Sequence, residues 1–209
     1  MTSKTHSAQL TGLKPNIVDI EVDIVKGMHC FSVIGLADKS VEESKDRMGA
    51  AIKNSGFIPP YKGNKKIVVS LAPADIKKEG PAFDLGIALG LLLASEEIKF
   101  DAKKKLFLGE LSLSGELRGI KGALLITEHA KKEGFEEIYL PAINAKEAAL
   151  VRGIKIYPCK NLKETIAHLN EKENEKLKPL KIGEQSETEI EKTERRQKPL
   201  NCIFKIIGI

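Results

Sequence analysis

The ten residues from Leu85 to Ala94, LGIALGLLLA, contain no charged and no polar side chain. A run of that kind constrains whatever is built around it. It has about half of the roughly 20 residues that a membrane-crossing helix needs, so it reads as a helix packed inside a protein core. Just before it, from Leu71, a strand end, a tight turn and a charged loop follow one another: Asp75-Ile76-Lys77-Lys78-Glu79, then Gly80-Pro81. A buried helix would prop this loop at the surface, where functional sites tend to lie.

The segments on either side supply partners for such a helix. Val18, Ile20, Val22 and Ile24 alternate with Asp19, Glu21 and Asp23, the period of a strand with one wet face. Shorter apolar bursts at Ala8-Gln9-Leu10 and Cys30–Ile34 flank it, with turn chemistry at Lys14-Pro15-Asn16 and Lys26-Gly27, so an antiparallel meander is expected. The period then lengthens. Ser40-Val41-Glu42-Glu43 has the spacing of a capping box, and Val41, Met48, Ala51 and Ile52 share one helical face up to about Gly56. Ile67–Leu71 reads as a buried strand. Leu106–Leu117 predicts short strands around a Ser114-Gly115 turn, Gly122–Glu133 a helix, and Glu137–Leu140 and Lys155–Tyr157 further strands. Asn144 and Asn161 each stand three residues before a Glu, as helix caps do. From about Glu171 to Lys198 the chain is almost wholly polar, which predicts a linker or tail, and Leu200–Ile209 is apolar without following elements.

Function classes are narrowed mainly by what is missing. The chain has no Gly-Lys dipeptide, so it lacks a Walker phosphate loop, and no G-x-G-x-x-G follows a strand. Of four scattered histidines, His129 has a carboxylate, Glu133, one helical turn away, too little for a metal site. Cys30, Cys159 and Cys202 show no paired spacing, and MTSKTHSAQL has no apolar core of a secretory signal, so a reducing, cytoplasmic location without a membrane partner is expected. The net charge of +5 comes from 34 basic and 29 acidic residues, mostly interspersed. Lys62, Lys65, Lys66, Lys103-Lys104-Lys105 and Lys131-Lys132 are candidate phosphate contacts. With aromatics at only 5% they do not form a base-stacking surface, and solvated loops account for them.

Three strings in order, GMHCFSVIGLADKSVEESKDRMGAAIKNSGF, VVSLAPADIKKEGPAFDLGIALGLL and LFLGELSLSGELRGIKGAL, closely resemble the N-terminal domain of the bacterial magnesium-chelatase-like AAA+ ATPases of the ComM/YifB type. The resemblance runs from about residue 7 to residue 170. It implies an α+β fold, a mixed sheet packed against helices like the second domain of ribosomal small-subunit protein five and the Lon peptidase domain. It also implies a division into this domain, residues 1–170, and a charged linker with an atypical tail, 171–209, with the AAA+ module of full-length relatives absent. ATP and Mg belong to those relatives, and no cofactor is expected in this chain.

Lon-type peptidases carry a Ser after Gly-Pro and a Lys on the next core helix. Placed on that pattern, this chain has Ala82 at the nucleophile position and Ile126 at the base position, and Ala82 has no atom to attack with. Lys121 lies five residues from Ile126, which on a continuous helix at about 100° per residue would turn it to another face. The resemblance thus implies a non-enzymatic accessory domain that positions DNA or partners on a hexameric motor in natural transformation. DNA, an AAA+ module or full-length relatives, and further copies of the chain are the expected partners, with Lys77, Lys78, Glu79, Asp84, Arg118 and Lys121 as contact residues; for Lys77, Lys78, Glu79 and Asp84, structural roles such as helix capping are favoured over binding. Alternatives are a stand-alone interaction domain, or a Lon-like serine hydrolase using Ser70 or Ser112 near Lys77 or Lys121.

Overall fold

The computed structural model describes residues 1–59, 64–170 and 176–180. Strands β1 (Thr2–Thr11) and β2 (Lys14–Lys26) form a long antiparallel ribbon, in register from Thr2 opposite Asp23 to Thr11 opposite Lys14. After β3 (Cys30–Ile34) comes helix α1 (Lys39–Asn54), and β4 (Lys65–Ala72) follows. Across the sheet the order is β1-β2-β4-β3, with β4 antiparallel to β2 and parallel to β3. The expected meander is therefore corrected. A parallel return needs a crossover of a dozen or more residues, and α1 provides it, which lets β4 enter between β2 and β3. The expected turn at Lys14-Pro15-Asn16 also moves: Pro15 sits within β2 opposite Leu10, and Gly12-Leu13 makes the reversal.

Val18, Ile20 and Val22 of β2 and Ile67, Val69 and Leu71 of β4 line one fully buried face of this sheet. Helix α2 (Asp84–Ala94) packs there, and every residue of it except Leu93 is buried. Each large aliphatic side chain so enclosed contributes on the order of 2 kcal/mol. The contact is close because the helix offers glycines to the sheet: a Cβ on Gly86 would stand 2.7 Å from Ile20 Cδ1, and one on Gly90 3.0 Å from Val22 Cγ2. The helix backbone thereby comes within reach of β1. Ser3 donates its hydroxyl to the Gly90 carbonyl at 2.7 Å and Thr5 to the Gly86 carbonyl at 2.9 Å.

Beyond α2 the chain builds a second layer. β5 (Lys105–Phe107), β8 (Glu137–Pro141) and β9 (Lys155–Cys159) make a parallel sheet in the order β5-β8-β9, and β6 (Glu110–Leu111) and β7 (Leu117–Arg118) a two-stranded ribbon. Helices α3 (Ala123–Lys132), α4 (Ala145–Ala148) and α5 (Leu162–Leu169) cover them. Leu106, Leu108, Ile126, Ile138, Leu140 and Ile156 form a second buried cluster, joined to β1 through Ala8.

Two caps differ from expectation. Asp38, not Ser40, caps α1, accepting from Val41 N–H at 3.0 Å, while the Ser40 hydroxyl donates to Asp38. Asn161 caps α5 as expected, accepting from Glu164 N–H at 2.8 Å. Asn144 instead binds the Ile120 backbone at both its N–H and its carbonyl, 2.9 Å each. Most of the linker 171–198 and all of Leu200–Ile209 lie outside the described residues.

Candidate functional site

The Gly-Pro loop between β4 and α2 is held from three sides. Gln9 of β1 donates to the Lys77 carbonyl at 2.7 Å and accepts from Glu79 N–H at 2.9 Å. Leu36 and Asp38 exchange backbone hydrogen bonds with Lys78 at 3.0 and 2.9 Å. Asp38 and Ser40 accept from Gly80 N–H at 3.3 and 3.1 Å. Gly80 has φ of +83°, which an L side chain rarely adopts, so the residue that turns the chain into Pro81 has to be glycine. Burial opposes the charge on Asp38, but the Ser40 hydroxyl and the Val41 and Gly80 N–H groups outweigh it and hold the carboxyl below its ordinary range. One carboxylate thus fixes both the start of α1 and the loop.

On the other side of Pro81, Ala82 accepts from Gly109 N–H at 3.0 Å, and Leu85 N–H donates to the Gly109 carbonyl at 3.1 Å. This loop forms one wall of a groove of about 590 Å³. Glu79, Gly80, Pro81 and Ala82 face Gly119, Ile120 and Lys121 across it, with Ala8, Leu10 and Ile126 as apolar lining. Ala82 and Ile126, expected from the resemblance at the Ser and Lys positions of Lon-type peptidases, both line this groove. Lys121 lines it too, contrary to the expectation from a continuous helix. α3 begins only at Ala123, after Gly122 at φ of +70°, so Lys121 lies in the loop before the helix, where the angular argument does not apply.

The other expected contact residues separate by burial. Lys77 and Glu79 are exposed and pair with each other at 2.9 Å. Arg118 is exposed and pairs with Glu110 across the β6–β7 ribbon at 2.9 Å. Lys78 and Asp84, expected at the surface, are 0% and 1% exposed. The Lys78 amine donates to the Pro73 carbonyl, and burial lowers its pKa. Asp84 opens α2, accepts from Leu111 N–H at 3.2 Å, and takes Arg47 Nε at 3.2 Å and Nη2 at 3.4 Å. Burial outweighs Arg47 and pushes the carboxyl up to about 6. Both residues tie the fold together beneath the loop. This overturns the contact role expected of the two and agrees with the structural one; a charged string in sequence does not say which of its members turns inward.

The serines considered as nucleophiles are elsewhere. Ser112 bonds Ser114 at 2.8 Å and accepts from Glu116 N–H at 3.0 Å, inside the β6–β7 turn. Ser70 sits on β4, and neither serine lines the groove that holds Lys121. Among the described residues no three His, Cys, Asp or Glu side chains converge as a metal ion would require. The sequence contains no Gly-Lys dipeptide.

A mixed sheet enclosing an apolar helix, with a groove beside a Gly-Pro loop, defines an α+β domain of the Lon-like kind. The family model described as subunit ChlI of Mg-chelatase matches residues 20–144, and the chain belongs to that family. Competence protein ComM of Haemophilus influenzae is 37% identical over 172 residues, 80% of this chain and 32% of the relative. YifB of Escherichia coli K12 is 39% identical over 154 residues, 72% of this chain and 29% of the relative. DNA repair protein RadA of Aquifex aeolicus is 31% identical over 103 residues, 49% of this chain and 22% of the relative. The chain thus spans about a third of the length of ComM and YifB. Among the described residues no helix is long and apolar enough to cross a membrane.

Proposed function

We propose that this chain acts as a non-catalytic accessory domain that positions DNA, together with a protein partner, on a hexameric AAA+ motor engaged in DNA processing. The observation that carries this reading is the groove, in which Ala82 and Ile126 stand together where a Ser/Lys dyad would act. Glu79, Glu110 and Lys121 line it beside the apolar Ala8, Leu10 and Ile126, and Lys77 and Arg118 are exposed next to these residues in the chain. The names of the relatives, a competence protein and a DNA repair protein, support DNA processing as the setting.

A titration of labelled duplex DNA with the chain at about 50 mM and about 200 mM salt tests it. The reading predicts binding at the lower salt that weakens at the higher, as counterion release requires. Absence of binding at the lower salt removes DNA as the partner and leaves a protein-interaction domain. Covalent labelling of the chain by a serine-directed probe would overturn the non-catalytic reading and favour the hydrolase.

A further inference from the structure

His168, near the end of α5, is half-buried and takes part in none of the contacts around the groove. Its ring is tilted against Tyr157, with centroids 4.7 Å apart, and against Tyr139 at 5.6 Å. Both ring nitrogens are engaged. Leu177 N–H donates to Nδ1 at 2.8 Å, so Nδ1 carries a lone pair there. Nε2 lies 3.2 Å from the Tyr139 hydroxyl, which donates its own proton to Glu137 at 3.0 Å, leaving its oxygen free to accept from Nε2–H. The proton inventory closes with one species only, the neutral imidazole protonated at Nε2.

The group bonded to Nδ1 belongs to a strap, residues 176–180. Lys176 of the strap donates to the His168 carbonyl at 2.9 Å, Leu177 packs on the main core, and Leu180 N–H donates to the Ile156 carbonyl at 2.8 Å. β9 is an outer strand of its sheet, so this last bond occupies part of a strand edge that another chain could otherwise pair with. We propose that His168 is a pH-operated clasp: the neutral ring holds the strap against α5 and β9, and protonation releases it. In the imidazolium both nitrogens are donors, so Nδ1–H would face Leu177 N–H, and rotating the ring cannot restore an acceptor.

The surroundings of the ring agree with this direction. Burial is the main cause that lowers the His168 pKa, and Lys176 on the strap and Lys105 on β5 add to it. Glu137 on β8 opposes them, but it is already paired with Lys105 at 3.5 Å and with Lys155 of β9 at 3.3 Å. Tyr139 and Tyr157, both with pKa raised chiefly by burial, remain neutral. Since the clasped state has the lower pKa, the clasp is at full strength above the ordinary histidine value and is lost as pH falls through the lowered one.

Solution NMR of the full chain between pH 8 and pH 5 tests the proposal through the His168 ring nitrogens and the exchange protection of the Leu177 and Leu180 amides. At pH 8 the ring should be the Nε2–H tautomer. Between the ordinary histidine value and the lowered one, Leu177 protection, corrected for intrinsic exchange, should fall by up to about tenfold per pH unit. In His168→Asn, whose Oδ1 can accept from the same N–H without titrating, protection should stay flat across the range. An Nδ1–H tautomer at pH 8, Leu177 protection that does not change with pH, or the same fall in His168→Asn would each overturn the proposal. If His168→Asn does not fold, the wild-type tautomer and the coincidence of amide loss with ring titration decide alone.

Discussion

Asp84 offers a quantitative test of how the loop is anchored, because its burial makes a specific pH dependence. The side chain is 1% exposed and its carboxyl is pushed up to about 6, against an ordinary value of 3.8. A carboxyl with a raised native pKa is protonated more readily in the folded than in the unfolded state. Stability from it is therefore fully present below the unfolded value and lost as pH rises through about 6. With about 1.4 kcal/mol per pKa unit, a gap of roughly two units means that the ionised form disfavours folding by about 3 kcal/mol relative to the neutral acid. Little of that is recovered at pH 7, about 1 kcal/mol by pH 5 and about 2 kcal/mol by pH 4. Asp84→Asn keeps the shape and removes the titration. Urea unfolding of wild type and Asp84→Asn at pH 7, 6, 5 and 4 isolates the effect, since every other titrating group contributes to both and cancels in the difference. Wild type should gain about 1 kcal/mol on the variant between pH 7 and pH 5. A difference that stays flat, or one that moves in favour of the variant as pH falls, would show that Arg47 and the Leu111 N–H outweigh burial and that the carboxylate is a net stabilising anchor.

The close approach of α2 to the sheet predicts unequal effects at its two glycines. Alanine gains about 1 kcal/mol of helix propensity at either, but the clash of a Gly86 Cβ with Ile20 at 2.7 Å carries an overpacking cost of about 2 kcal/mol. Urea unfolding should therefore find Gly86→Ala destabilised by about 1 kcal/mol and Gly90→Ala, with only a 3.0 Å contact to Val22, within about 0.5 kcal/mol of wild type. Gln9→Ala removes two hydrogen bonds that hold the Gly-Pro loop and should cost about 1–3 kcal/mol. Hydrogen exchange at the Glu79 amide should accelerate in the same variant while exchange in α2 changes less.

The sequence was most legible where apolar periodicity carried the fold. The uncharged run became α2 within one residue of its expected start, and β3, β4, α3 and β9 fell on their expected segments. β1 was seen only around Ala8-Gln9-Leu10, although it begins at Thr2. Its inward residues are Ser3, Thr5 and Ser7, and hydroxyls leave no hydrophobic signal even when Thr5 and Ser7 are fully buried. The Ser7 hydroxyl is buried without a partner among the described residues. Pairing order was illegible for a different reason, since nothing local to β3 or β4 states which neighbour each will take. At the groove, the placement of Ala82 and Ile126 at dyad positions rested on the family resemblance, and only the structure shows that both line one groove. The inward turn of Lys78 and Asp84, the capping by Asp38 and the clamp made by Gln9 could not be read. The Gln9 clamp, the Asp38–Gly80 bond and the Arg47 and Leu111 contacts of Asp84 join residues 27 to 70 positions apart, whereas the Asp38 cap is local and was hidden by the competing Ser40.

The loop and groove are proposed to bind a partner, DNA first, through Lys77, Glu79, Arg118 and Lys121. Backbone amide shifts of the isotopically labelled chain, followed while duplex DNA is added at about 50 mM salt, test it most directly. The account predicts shifts concentrated at residues 77–80 and 118–121, reversed by raising the salt and weakened in Lys121→Glu. A chain that shows no shifts, or shifts confined to surfaces away from the groove, would contradict it.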